Sequence, residues 1–212
     1  MFLVVMKYEW RKAEKELYLP PKKPVLVTVP CFKYYLIKGE GSPNSSAFQE
    51  CIEALYTVSY AIRMSYKKGR EPEGFYEYSV YPLEGFWGTN QNEDSQVRYG
   101  IKKDECYFTL MIRQPDFVTN EFSERAKEWA FEKNKNSSIE KLTFDEIEDG
   151  KCIQMLHVGS YDSEPESFSI MESFCEEHQL KRVSRLHKEI YLSDPRRVVP
   201  EKLKTVLRIE VK

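Results

Sequence analysis

In LHKEIYL, residues 186 to 192, a two-residue period puts His187, Glu189 and Tyr191 on one face and Leu186, Ile190 and Leu192 on the other. A glutamate and a tyrosine side by side on a strand can do two kinds of chemistry. In partly desolvated surroundings the Glu189 carboxylate attracts a ligand cation or takes a proton from water. The Tyr191 hydroxyl can hydrogen-bond an oxygen on which negative charge develops. The same pattern also suits a solvated Glu189 and a Tyr191 packed at a strand edge. The pair matters only if other elements bring it to the wall of a cleft.

A second group gathers in YPLEGFWG, residues 81 to 88. Trp87 offers a stacking surface for a planar or cationic ligand, and Tyr81 an apolar ring with a polar tip. Glu84 adds a carboxylate, which in a turn also suits solvent or a backbone cap. In FTLMIR, Phe108, Leu110 and Ile112 share one strand face, and Tyr107, Thr109 and Met111 the other. A polarizable methionine beside a tyrosine suits an adaptable pocket or ordinary core. Trp129 is a candidate lid over the groove. His157, on an apolar strand, is a ligand contact or a satisfied core histidine.

Two segments that resemble each other must position these residues. Val25 to Tyr56 and Leu142 to Cys175 each read as extended chain, a glycine-serine turn and an amphipathic helix. The helical stripes are Phe48, Ile52, Leu55, Ser59 and Ile62, then Phe168, Met171, Phe174 and His178, with Ser45 and Ser163 as candidate caps. Extended segments follow each helix: 75 to 87 and 106 to 113 in the first half, 186 to 192 and 203 to 211 in the second. The fold class is therefore α+β: duplicated β-α-β-β units (about 25–113 and 139–212) with pseudo-twofold symmetry, joined by a helix at about 119–135. Together they form one antiparallel sheet with helices on one face and a ligand cleft on the other. If Tyr78, Val80, Ile190 and Leu192 face the helices, then Glu77, Ser79, Tyr81, His187, Glu189 and Tyr191 face the cleft. A bulge near Pro82 would exchange the two sets in the first half. Residues 1–24 are expected to be a mobile or loosely docked lead-in to a single domain over 25–212.

Composition removes several function classes. The chain has 212 residues, with 32 basic against 34 acidic, so no basic field draws it to nucleic acid. The adjacent Arg196 and Arg197 are flanked by Asp194 and Glu201 and read as a turn. Five scattered cysteines and three histidines lack metal-ligand or disulfide spacing. No phosphate-loop, dinucleotide or serine-hydrolase motif occurs, so neither metal nor cofactor is expected. No apolar run reaches membrane-spanning length, and the N-terminus lacks the features of a secretory leader. The expectation is a cytoplasmic monomer whose partner is a small molecule, with neither nucleic acid nor membrane involved.

The blocks KPVLVTVPCFKYYLIKGEGSPNSSAFQECIEALY, YSVYPLEGFWG, FTLMIRQPDFVT, VGSYDSEPES and HKEIYLSDPRRVVPEKLKTVLR resemble the GyrI-like small-molecule-binding proteins, relatives of the effector-binding domains of multidrug-sensing regulators. The likeness runs from about Lys7 to the C-terminus and is to the stand-alone form, with no helix-turn-helix ahead of the domain. It implies an aromatic cleft for flat or cationic amphipathic compounds, with the glutamate of the EIYL strand, here Glu189, inside it. Some members hydrolyse cyclopropane-bearing DNA-alkylating compounds, which implies water activation by Glu189 with Tyr191 or Tyr81 steadying the electron-accepting oxygen. Non-enzymatic sequestration and gyrase inhibition are the alternatives. The chain departs from the family's PLEGLWW-like block at Phe86-Trp87-Gly88, which removes one aromatic wall element.

Overall fold

The computed structural model describes residues 7–89 and 106–212. Its core is a closed antiparallel barrel of six strands in the order β1-β3-β2-β5-β6-β4. The strands are β1 (Val25–Glu40), β2 (Leu83–Thr89), β3 (Cys106–Gln114), β4 (Thr143–Val158), β5 (His187–Tyr191) and β6 (Lys204–Glu210). Helix α3 (Ser46–Arg63) follows β1 and α5 (Glu164–Glu177) follows β4, so each half is β-α-β-β, as the repeat predicts. Helix α4 (Asn120–Lys133) joins the halves.

The strand registers carry the pseudo-twofold. In the β1:β4 seam Val25 pairs with Gln154, and the equivalent residues Thr143 and Leu36 pair in turn. In the β2:β5 seam Leu83 pairs with Tyr191 and Trp87 with His187, so Gly85 and Glu189, which pair with each other, lie at the centre of symmetry. Trp87 and Tyr191 are then equivalent positions, as are Glu84 and Lys188.

Helices cover the outer face. The α3 stripe of Phe48, Leu55, Val58 and Ile62 is buried against Ile37, Phe108, Leu110 and Ile112, and α5 buries Phe168 and Met171 against Ile153, Met155 and Leu207. Ser45 caps α3, its hydroxyl accepting from the Phe48 N–H at 3.2 Å. Ser163 does not cap α5; its hydroxyl donates to the Ser160 carbonyl at 2.8 Å.

Two expectations are corrected. Residues 75–82 are not barrel strand; β2 begins only at Leu83, after Pro82, which has no N–H to give a ladder. The rings of this stretch pack elsewhere: Tyr78 against α3, where Arg63 Nε donates to its carbonyl, and Tyr81 against the N-terminal segment. Of that segment, residues 10–18 are docked on the barrel. Trp10 on α1 (Trp10–Ala13) and Tyr18 on α2 (Lys15–Tyr18) are buried. Arg113 pairs with Glu14, and Gln154 and Arg208 donate to the Glu16 and Leu17 carbonyls. Residues 10–18 therefore close one end of the barrel.

Candidate functional site

On β2 and β5 the pleat sends Leu83, Gly85, Trp87, His187, Glu189 and Tyr191 to the helix-covered face, and Glu84, Phe86, Lys188 and Ile190 into the barrel. Glu189 therefore lies under the N-terminal ends of α3 and α5, and the assignment of His187, Glu189 and Tyr191 to the face away from the helices is reversed. The alternation is as read. What one strand's period cannot show is which face a helix covers.

Around Glu189 the side chains form a hydrogen-bonded chain. Trp87 Nε1–H donates to Tyr191 Oη at 2.7 Å, and the Tyr191 hydroxyl bonds in turn to Glu189. His187 Nε2 lies 3.0 Å from Glu189 Oε1 on the other side. Burial, then the neighbouring Glu189, holds the Tyr191 phenol well above its ordinary range, so it stays protonated and serves as a donor. Aromatic rings enclose the chain: Phe48 and Phe108 are each 5.8 Å from Trp87, Tyr161 is edge-on to Tyr191 at 6.1 Å, and Phe168 is edge-on to His187 at 4.7 Å. Gly85 makes room, since a Cβ there would meet Trp87 Nε1 at 3.1 Å and Leu110 at 3.3 Å.

Glu164, the first residue of α5, completes the group and was missed from sequence. It is 7% exposed, and its Oε1 is buried with no hydrogen-bond partner. Burial first, and the charges of Glu189 and Asp162 next, push its carboxyl up to about 10. Its place at the head of α5 within SYDSEPES was the only available signal, and first-turn acids ordinarily serve the helix dipole. The turn that delivers it is pinned by His157, whose Nδ1 is 2.8 Å from Ser167 Oγ and whose Nε2 is 3.0 Å from the Ser160 carbonyl. Gly159 permits that approach, since a Cβ there would lie 2.7 Å from Ser163 Oγ. His157 is thus the satisfied core histidine of the two readings.

The remaining candidates lie elsewhere. Tyr81 stacks on Trp10 and donates to Glu14 at 2.9 Å. Trp129, on α4, packs edge-on against Phe122 with Arg70 over its ring, and forms part of an outer helix rather than a lid. Glu84 is fully buried inside the barrel, 3.4 Å from Lys188. Met111 is buried with Tyr34 and Leu36. Tyr107, with Phe86, Thr109, Lys188, Asp149 and Arg208, lines a cavity of about 420 Å³ on the inner face. A cleft thus exists on the face away from the helices, but its charges are matched internally. Lys188 reaches Asp149 at 2.6 and 2.7 Å, and Arg208 reaches Asp149 at 3.0 Å and Gln154 at 2.9 Å. A charged ligand there would have to displace buried ion pairs. Glu84 Oε1 inside the barrel is unpartnered as well, but the Glu189 group alone sets its carboxyls among Trp87, Tyr161, Tyr191 and Phe168, and among the described residues it is the better candidate.

Comparison with known proteins agrees with this architecture. The model of the GyrI-like small molecule binding domain matches residues 22–212, and the chain belongs to that family. Two crystal structures of a hydrolase from Listeria innocua are each 35% identical. One covers 97% of this chain and 100% of its own with a TM-score of 0.88, the other 98% and 100% with 0.89. The C-terminal domain of EcmrR shares the fold at 14% identity, covering 90% of this chain and 97% of its own with a TM-score of 0.55. No curated protein matches the chain. Among the described residues no helix is long and apolar enough to cross a membrane.

Proposed function

We propose that the chain binds planar, aromatic or cationic small molecules against Trp87 and Tyr191 beside Glu189, and hydrolyses electrophilic cyclopropane-containing compounds there. The observation that carries this reading is the chain Trp87–Tyr191–Glu189–His187, which aims one carboxylate among aromatic rings. Binding of a small molecule follows from the family. Hydrolysis is supported by the likeness to the Listeria innocua hydrolase over nearly the whole chain.

Glu189 can act in two ways from this position. Toward a cation it supplies Coulomb attraction in a site with little water to screen it. Toward an electrophilic cyclopropane conjugated to a carbonyl it takes a proton from water as the water oxygen attacks the strained ring carbon. Tyr191 and His187 fix the carboxylate's orientation. Because Tyr191 spends its proton on Glu189, it acts through Glu189 and does not need to reach the substrate.

The test is product analysis. A cyclopropane-fused cyclohexadienone incubated with the protein is expected to gain one water, and Glu189→Gln to bind the compound but leave it unchanged. Binding without product in the parent protein would replace hydrolysis by sequestration.

A further inference from the structure

We infer that Glu164 is the acid of this site, carrying a proton on its buried carboxyl and giving it to a ligand oxygen while Glu189 takes one from water. The inference rests on the proposed reading of the Glu189 site and supplies what that reading lacks. Ring opening sends an electron pair to the carbonyl oxygen, which then needs a proton, and the donors of the hydrogen-bonded chain itself are committed. Trp87 N–H is bound to Tyr191, Tyr191 is bonded to Glu189, and His187 Nε2 faces Glu189.

Glu164 fits the role on geometry and surroundings. Its Oε1 is buried without a partner, an uncommon state that costs free energy unless a ligand or a bound proton answers it. The titratable groups that interact with it are Glu189 and Tyr191 from β5 and Tyr161 and Asp162 from the turn before α5, a turn pinned by His157, while His187 lies on the other side of Glu189. The charges that act on it, Glu189 and Asp162, are both acidic. Two carboxyls sharing a poorly solvated site do not both ionise, so one proton stays with the pair. Glu189 has Tyr191 and His187 as hydrogen-bond partners, whereas Glu164 Oε1 has none, so we assign the proton of the pair to Glu164. The helix N-terminus opposes this by favouring an anion, but burial and two acidic neighbours outweigh it.

The step balances. The bond from the water oxygen to the ring carbon forms as a cyclopropane C–C bond breaks. The released pair reaches the conjugated carbonyl oxygen, which takes the Glu164 proton, and Glu189 receives the proton lost by the water. Return of that proton from Glu189 to Glu164 restores the starting state, and the net change is addition of one water.

Infrared difference spectroscopy of the full chain at neutral pH tests the assignment together with titration of rhodamine 6G, a cationic dye. A carboxylic acid C=O band is expected in the parent and in Glu189→Gln, lost in Glu164→Gln, and present again in Glu164→Asp, with any contribution of Glu84 identified by Glu84→Gln. Glu164→Gln should weaken the dye less than Glu189→Gln does, because it removes no charge the cation uses, while kcat for ring opening falls about a hundredfold. A parent protein without the band, or a band that survives in Glu164→Gln and is not removed by adding Glu84→Gln, overturns the assignment, as does dye affinity that Glu164→Gln weakens as much as Glu189→Gln does. Dye affinity unmoved by Glu189→Gln overturns the underlying reading of the site, and this role with it, whatever the band shows.

Discussion

Gly85 and Glu189 face each other across the β2:β5 seam at the centre of the pseudo-twofold, so one half of the duplication supplies the carboxylate and the other the space beside it. Their neighbours Trp87 and Tyr191, at equivalent positions in the two halves, close the hydrogen bond that ties the halves together at the site. Duplication supplied two copies of the strand pair, and divergence at this central pair made the site asymmetric.

Gly85→Ala is therefore expected to damage the site more than the fold. The added Cβ would crowd Trp87 Nε1 and Leu110, and would lie 3.5 Å from Tyr191 Oη. Overpacking of this kind costs about 1–3 kcal/mol, readable by denaturant unfolding. The Trp87–Tyr191 bond should lengthen, and dye affinity should fall along with stability. A variant of unchanged affinity would mean that the Trp87–Tyr191 contact does not shape the site.

The charges inside the barrel separate two acids. Burial pushes Asp149 up, but Lys188 and Arg208 outweigh it and hold its carboxyl below the usual range. Its ionised form thus stabilises the fold above its unfolded pKa of about 3.9, and that contribution is lost as pH falls through the lower folded value. Glu84 has the opposite sign, because burial holds its carboxyl above the usual range. Its contribution is present at low pH and is lost as pH rises through the folded value. At pH 7, Asp149→Asn should cost about 3–5 kcal/mol by leaving Lys188 and Arg208 short of charge. Glu84→Gln should be close to neutral, since Lys188 keeps both Asp149 oxygens. Denaturant titration of both variants checks the pair, and equal losses would show that Glu84 and Asp149 carry the same load.

Removal of residues 1–19 should destabilise the domain by several kcal/mol. Trp10 and Tyr18 are nearly fully buried, and loss of a buried large aromatic alone costs about 3–5 kcal/mol. Arg113 would also lose Glu14, and Arg208 the Leu17 carbonyl. Thermal unfolding of the shortened chain measures this, and an unchanged midpoint would make the segment an ornament of the barrel.

Much of this was legible in the sequence, and each miss has its own physical reason. The repeat, both long helices and the alternation in β3 and β5 could be read, because apolar spacing reports period directly. The side on which the helices sit could not. Ile190 is fully buried inside the barrel and Glu189 is 8% exposed under the helices. When a sheet closes on itself both faces are interior, and the usual contrast between wet and dry faces vanishes. Tyr81 was misplaced because an aromatic-rich run reads as strand, whereas its ring serves the docked N-terminal segment. Glu164 escaped notice because a single acid at a helix start is ordinary, and only the fold brings it beside Glu189.

The most direct test of the central claim, that ligands seat against Glu189 and Trp87 on the helix-covered face, is fluorescence titration at one ionic strength with rhodamine 6G and a neutral planar ligand of similar area. Glu189→Gln should weaken the cation by about 1–2 kcal/mol, the range for a cation in a partly desolvated aromatic site, with a smaller change for the neutral ligand. Trp87→Ala should weaken both, because both use its ring. Cation affinity left intact by Glu189→Gln but destroyed by Trp87→Ala would contradict the account, since the carboxylate would then not face the bound molecule.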